Sequence, residues 1–143
     1  MAKLTINEAA GSGYTDEIVL TPNDFTTDAG NTTTKVTVPV KQGDVIYGAA
    51  VEVVEAFSTD TDLTVGIDAD VDGTSADPDA LITAIAVETV GGVAANTGAD
   101  IAAGAGPFVA DDDGNIEIIA GSALNGDTSG KIRVLLGIRR INA

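Results

Sequence analysis

Histidine, cysteine and tryptophan are absent from this chain of 143 residues, which has one Met and only 3% aromatic residues. Without Cys, the chain has neither a disulfide framework nor a thiolate metal site. Without His, it has no Ser-His-Asp triad, no imidazole base and no ordinary zinc site. Because these side chains perform much of enzyme chemistry, we expect the protein not to be an enzyme.

Basic residues are also scarce, with 7 Lys and Arg against 22 Asp and Glu and a formal net charge of −15. A protein that binds a phosphate backbone needs Lys and Arg to displace counterions, so we expect no nucleic-acid partner. No apolar run reaches the roughly 18–20 residues of a membrane helix. The first five residues lack the hydrophobic core of a signal peptide, and we expect no membrane partner.

The residues that are present favour a folded β-rich domain. Hydrophobic residues make up 44% of the chain, and Gly, Ala, Thr and Asp supply much of the rest. Val and Ile favour strands, and Gly and Asp favour turns. The length fits one domain with a real core. We predict an N-terminal arm over residues 1–13 and a single domain over residues 14–143.

Several segments show the alternation of apolar and polar residues that is typical of half-buried strands. Alternation over 34–40 points Val36, Val38 and Val40 to one face. The next segment, 45–57, has inward residues at Val45, Tyr47, Ala49, Val51, Val53 and Phe57. Later segments have inward sets Leu63, Val65 and Ile67, and Ile132, Val134, Leu136 and Ile138.

Seven or eight strands with long loops and at most one short helix indicate an all-β protein. We predict an antiparallel β-sandwich, jelly-roll-like or immunoglobulin-like, rather than a barrel. Residues 81–86 fit either a strand or one or two turns of helix. Because Asp77-Pro78-Asp79 resembles a helix start, we predict a short helix or an irregular segment there.

An acidic loop has the spacing of a calcium site. Asp68, Asp70 and Asp72 occupy positions 1, 3 and 5, Gly73 position 6 and Asp79 position 12. Alternate carboxylates in a tight loop converge on one hard cation, but a Glu normally stands at position 12 and a helix normally precedes the loop. Two hypotheses follow: a solvated acidic turn with no cofactor, which we favour, and a calcium site.

A second acidic turn, Asp111-Asp112-Asp113-Gly114-Asn115, has the Asp-Gly pair of a β-turn. We interpret it as such a turn. If a cation bound the Asp68 loop, this turn could lie near it.

Four of the seven basic residues lie in the last 13 positions: Lys131, Arg133, Arg139 and Arg140. The first three fall on the outward face of the last predicted strand. One interpretation is pairing with acidic residues of the same chain. The other is a basic stripe that binds an acidic surface, on another copy or on a different protein.

Parts of the sequence resemble small virion proteins of tailed bacteriophages. Residues 51–57 have the pattern V-x-V-x-E-A-F, and residues 63–73 have the pattern L-x-V-G-x-D-x-D-x-D-G. The run 38–46 and the closing strand 130–136 resemble the same proteins, and the similarity covers roughly residues 14–140 in order and style. Such proteins are typically head decoration (cement) proteins or components of fibres and spikes.

The resemblance implies a jelly-roll-like sandwich, often trimeric, with no catalytic residues. We therefore expect a non-enzymatic capsid decoration protein on the outer surface of the virion, bound to the major capsid protein as a homotrimer. The main alternative is a tail-fibre, spike or other host-surface adhesion module that binds a glycan or a protein. A calcium-dependent module of a secreted protein and a two-carboxylate hydrolase are weaker alternatives, since aromatic residues for sugar binding are few.

Overall fold

A computed structural model of the chain describes residues 4–6, 14–27, 34–73, 75–98 and 107–141. In these ranges one short α-helix, α1 (Ala69–Asp72), and one 3-10 turn (Pro22–Asp24) accompany the strands, and neither is long enough to cross a membrane. The strands are β1 (Leu4–Ile6), β2 (Asp16–Leu20), β3 (Thr26–Thr27), β4 (Thr34–Val40), β5 (Val45–Glu55), β6 (Asp62–Ile67), β7 (Asp77–Ala86), β8 (Val93–Ala95), β9 (Phe108–Val109), β10 (Gly114–Ala120) and β11 (Lys131–Arg139).

The strands form two antiparallel sheets. The six-stranded sheet has the order β1-β2-β11-β5-β8, with β9 paired to the start of β5, and the five-stranded sheet has the order β3-β4-β10-β6-β7. Without the short strands β1, β3 and β9, each sheet has four strands. The chain then changes sheet at every step except from β6 to β7. This is the eight-stranded jelly roll, which confirms the predicted all-β sandwich.

Apolar side chains from both sheets fill the space between them. In β11 the alternation is as predicted, because Ile132, Val134, Leu136 and Ile138 are all buried. In β4, Val38 and Val40 are buried and Val36 packs partly buried against the core. Each fully buried Val, Ile or Leu contributes about 1.5–3 kcal/mol, so the core is the main source of stability.

The inward position predicted for Tyr47 is wrong. Tyr47 is 40% exposed, whereas its neighbour Ile46 is fully buried. The register of β5 with β11 shifts between Gly137 and Ile138, so Tyr47 lies in a β-bulge and the alternation reverses there. Its ring covers Gly137 on the outside of the sheet, with Cε2 2.5 Å from where a Cβ would stand.

The short helix or irregular segment predicted at residues 81–86 is also corrected, because this segment is the second half of β7. The strand pairs with β6 from Asp62↔Ala86 to Ile67↔Asp77, with two irregularities in register. Leu81 and Ile82 are fully buried. Tertiary pairing overrides the local resemblance to a helix start, as expected for a short apolar run.

The predicted N-terminal arm contributes a strand of its own. Residues 4–6 form β1, which pairs with β2 of the same chain through Leu4↔Ile18 and Ile6↔Asp16. The other residues of the arm, 1–3 and 7–13, lie outside the described residues.

Replacing Gly130 is expected to destabilise the fold. Gly130 has a φ of +136°, and atoms of the Phe57 ring lie 2.5 Å from the position of an added Cβ. Gly130→Ala therefore combines backbone strain with a clash in the core. We expect a loss of about 2–4 kcal/mol in the free energy of unfolding, measured by urea denaturation.

Gly126→Ala is the matched control, because nothing lies within 4 Å of its added Cβ. Its loss should stay below about 1 kcal/mol. Equal losses for the two variants would contradict the steric explanation.

Candidate functional site

The two acidic turns lie side by side at one end of the sandwich. The backbone N–H of Asp111 donates to the carbonyl of Val71 at 3.1 Å, and that of Asp112 donates to the carbonyl of Asp70 at 3.1 Å. These bonds join the turn before β10 to α1, so the second turn does lie near the first. We call this region the acidic corner; it comprises Asp68, Asp70, Asp72, Asp111, Asp112 and Asp113.

Asp68 has a structural role in this corner. As the N-cap of α1, its Oδ1 accepts a bond from the Val71 N–H at 3.1 Å. Its Oδ2 accepts from the backbone N–H of Asn115 at 2.8 Å and from Asn115 Nδ2 at 3.1 Å. Both carboxylate oxygens therefore have protein donors, and Asp68 ties α1 to β10.

The other predicted calcium ligands are in different settings. Asp70 and Asp72 are exposed on α1, and Asp79 lies half-buried in β7. Among the described residues, no group of three or more acidic side chains is arranged to hold a metal ion. The calcium hypothesis stays a prediction.

Two of the four predicted partner-binding residues form ion pairs within the chain. Arg133 Nη2 donates to Glu17 Oε2 at 2.8 Å. This bond and the charge of Glu17 raise the pKa of the Arg133 guanidinium, and the nearby charge of Glu52 adds to the effect. Arg133 is therefore paired with Glu17 on the outside of the sheet, where its side chain is 39% exposed.

Arg140, near the C-terminal end of the chain, forms ion pairs with two acidic residues. Arg140 Nη2 donates to Asp16 Oδ2 at 2.9 Å, and its Nη1 lies 3.7 Å from Asp44 Oδ2. Asp44 also accepts bonds from the backbone N–H of Lys41 at 3.0 Å and of Ile141 at 3.1 Å. Asp16 and Asp44 could not be recognised from the sequence as partners of Arg140, because only the fold shows that both are buried.

Lys131 and Arg139, by contrast, form no ion pair with any residue in the described ranges. Lys131 stands opposite Glu55 at one end of β11. Arg139 is at the other end, in an open depression of about 530 Å³ that Tyr47 also lines. The four basic residues therefore do not form one patch.

The outward side of strands β2, β11, β5 and β8 is a surface that the sequence analysis missed. We call it the outer face. Its residues are Glu17, Val19, Tyr47, Ala50, Glu52, Val54, Glu55, Val93, Ala95, Lys131, Arg133, Leu135 and Arg139.

The outer face has four exposed large apolar side chains, Val19, Tyr47, Val54 and Val93, whereas no described strand of the five-stranded sheet has one. A shallow depression of about 100 Å³ lies at its centre, lined by Ala50, Val51, Glu52, Val93, Arg133 and Leu135. On the other sheet, the corresponding positions of β4, β10 and β6 include Lys35, Thr37, Thr64 and Glu117. This apolar surface could have been recognised from the sequence, because Val19, Val93 and Leu135 are apolar residues at outward positions of strands.

Removing the Asp68 carboxylate is expected to destabilise the fold. Asp68→Ala deletes the cap of α1 and leaves the donors of Asn115 without their acceptor. We expect a loss of about 2–3 kcal/mol in the free energy of unfolding, measured by urea denaturation. Asp70→Ala, at an exposed position on the same helix, should change it by less than about 0.5 kcal/mol.

Thermal melts of the same proteins test the calcium hypothesis. A melting temperature that neither calcium nor a chelator changes would remove it. A calcium-dependent rise that Asp70→Ala abolishes would support it.

The neighbouring residues Arg139 and Arg140 provide a second matched comparison. Arg140→Ala leaves the nearly buried carboxylates of Asp16 and Asp44 without their cation. We expect a loss of about 1–3 kcal/mol in the free energy of unfolding. Arg139→Ala should change it by less than about 0.5 kcal/mol, because Arg139 pairs with no described residue. Equal losses in urea denaturation at one fixed, low protein concentration would contradict the role assigned to Arg140.

Comparison with protein-family models found no match to this chain, and comparison with curated proteins found no similar sequence. The function must therefore be inferred from the residues and the fold.

Proposed function

We propose that this chain is a non-enzymatic structural protein of a bacteriophage virion. In this proposal it is a head decoration (cement) protein that binds the outside of the major capsid lattice and stabilises the head. The observation that carries the proposal is the jelly roll, with an interior filled by apolar side chains. Jelly rolls recur in viral capsid and lectin domains. The resemblance to virion proteins supports the capsid assignment and implies a homotrimer.

The structural roles of the buried acidic side chains support a non-enzymatic function. Asp16 and Asp44 are the buried charged residues of the described chain. Both contact Arg140, and Asp44 also accepts two backbone N–H bonds. A general acid or base needs a carboxyl group that can reach a substrate, whereas these carboxylates hold the C-terminal end in place.

The surface charge also suits a position outside the capsid. A net charge of −15 disfavours contact with the packaged nucleic acid, whose phosphates need basic partners. A decoration protein can bind through modest contacts because the lattice repeats them, and linked sites raise the overall affinity. A stable folded protein with a shallow docking surface can therefore bind the capsid lattice without a deep pocket.

Binding to heads tests this proposal. Purified protein is incubated with heads of the encoding phage assembled without it, and the heads are imaged by cryo-EM. We expect ordered density at symmetry-related positions on the outer lattice and an increased resistance of the heads to heat. Heads without added density would contradict the decoration function.

A host-surface adhesion module is the second candidate, and one observation favours it. The exposed ring of Tyr47 and the guanidinium of Arg139, which forms no ion pair with a described residue, line the same open depression, together with Thr15, Ile138 and Arg140. An aromatic ring and a cation suit a glycan that carries a carboxylate. Glycan-array binding in the absence of head binding would favour this function over decoration.

A further inference from the structure

We propose that the outer face of the six-stranded sheet binds the outer face of a second copy of this chain. The proposal goes beyond the proposed function, and its two-fold contact replaces the homotrimer that the resemblance implies. It does not depend on capsid binding.

The two rows cross four strands and contain five apolar and three charged side chains. One row runs Val19, Arg133, Glu52, Val93, and the next runs Glu17, Leu135, Ala50, Ala95. Val93 is 66% exposed and Val19 is 38% exposed, although both belong to regular strands. Covering these side chains removes apolar surface from water, which favours a face-to-face contact.

Charge decides what can cover this surface. Three basic residues (Lys131, Arg133, Arg139) and three acidic residues (Glu17, Glu52, Glu55) lie on the outer face, which therefore has no net charge. The rest of the chain holds the other 4 basic and 19 acidic residues, and with them the whole net charge of −15. Two copies repel each other over most of their surfaces, but the outer faces can approach without net repulsion.

The basic and acidic side chains of the outer face are also placed so that those of two copies can pair with each other. Arg133 lies between two acidic residues, bonded to Glu17 and opposite Glu52 in the ladder. In a two-fold contact both copies present the same surface, so each Arg133 can meet the Glu52 of the other copy. Because Arg133 is already paired with Glu17, part of its side-chain freedom is lost before the contact forms.

The size of the outer face is sufficient for a weak but specific dimer. Strand β11 has nine residues, which at about 3.4 Å each gives a length of about 30 Å. Four strands spaced by about 4.8 Å give a width of roughly 15–20 Å. Two such faces bury roughly 1,000 Å² in total, the area at which specific interfaces begin.

Sedimentation equilibrium of the full chain, from micromolar to millimolar concentration, tests the proposal. We expect a concentration-dependent dimer. Val93→Glu adds a charge at the exposed end of one row and should weaken dimerisation by at least about tenfold. Val90→Glu is the matched control. Val90 is 62% exposed in the turn between β7 and β8, outside the outer face, so this variant should dimerise like the unmodified chain.

Charge exchange between copies tests the contact of Arg133 with Glu52 directly. The R133E variant and the E52R variant should each be monomeric, because every cross-contact then joins like charges. Mixed together, they should form a heterodimer, because each cross-contact again joins opposite charges. A cooperative thermal unfolding transition in each variant would show that both fold, with R133E melting somewhat lower because it loses the ion pair with Glu17.

Three results would overturn the inference: an unmodified chain that stays monomeric, a trimer, or a mixture of R133E and E52R that does not associate. Head binding is measured separately, so the two proposals fail independently. A dimer that does not bind heads would contradict the decoration function alone. A monomer that binds heads would contradict the two-fold contact alone.

Discussion

The position of β11 between β2 and β5 is the constraint on which the rest of the structure depends. The pairing brings together residues far apart in the chain, such as Arg133 and Glu17, which are 116 positions apart. Closing such long loops costs conformational entropy, and the burial of Ile132, Val134 and Leu136 offsets it. Once β11 is in place, its inward side completes the core and its outward side forms the middle of the outer face.

The acidic residues divide into two groups according to their surroundings. Asp16, Asp44 and Asp68 accept hydrogen bonds from Arg140 or from backbone N–H groups, and they hold the C-terminal end and α1 to the strands. Asp70 and Asp111 are exposed, and they add to the negative potential at one end of the sandwich. The net charge of −15 is thus unevenly distributed, and a neutral face remains on the six-stranded sheet.

The alternation of the sequence predicted the buried sides of β6 and β11 correctly, because a regular strand has a fixed period of two. It was wrong at Tyr47, where a bulge reverses the alternation; only the register with Gly137 and Ile138 reveals it. Residues 81–86 were ambiguous because their apolar run does not alternate, and pairing with β6 decided in favour of a strand. The partners of Arg133 and Arg140 were not predictable, because Glu17 and Asp16 are distant from them in the sequence.

The sequence by itself determined the all-β class, the absence of imidazole and thiol side chains, the strong negative charge and the inward sides of β6 and β11. These are properties of composition or of neighbouring residues. The tertiary structure alone decided the jelly-roll order, the contact between the two acidic turns, and which arginines are paired. Those features depend on contacts between residues that are distant in the chain, and local alternation contains no information about which strand lies beside which.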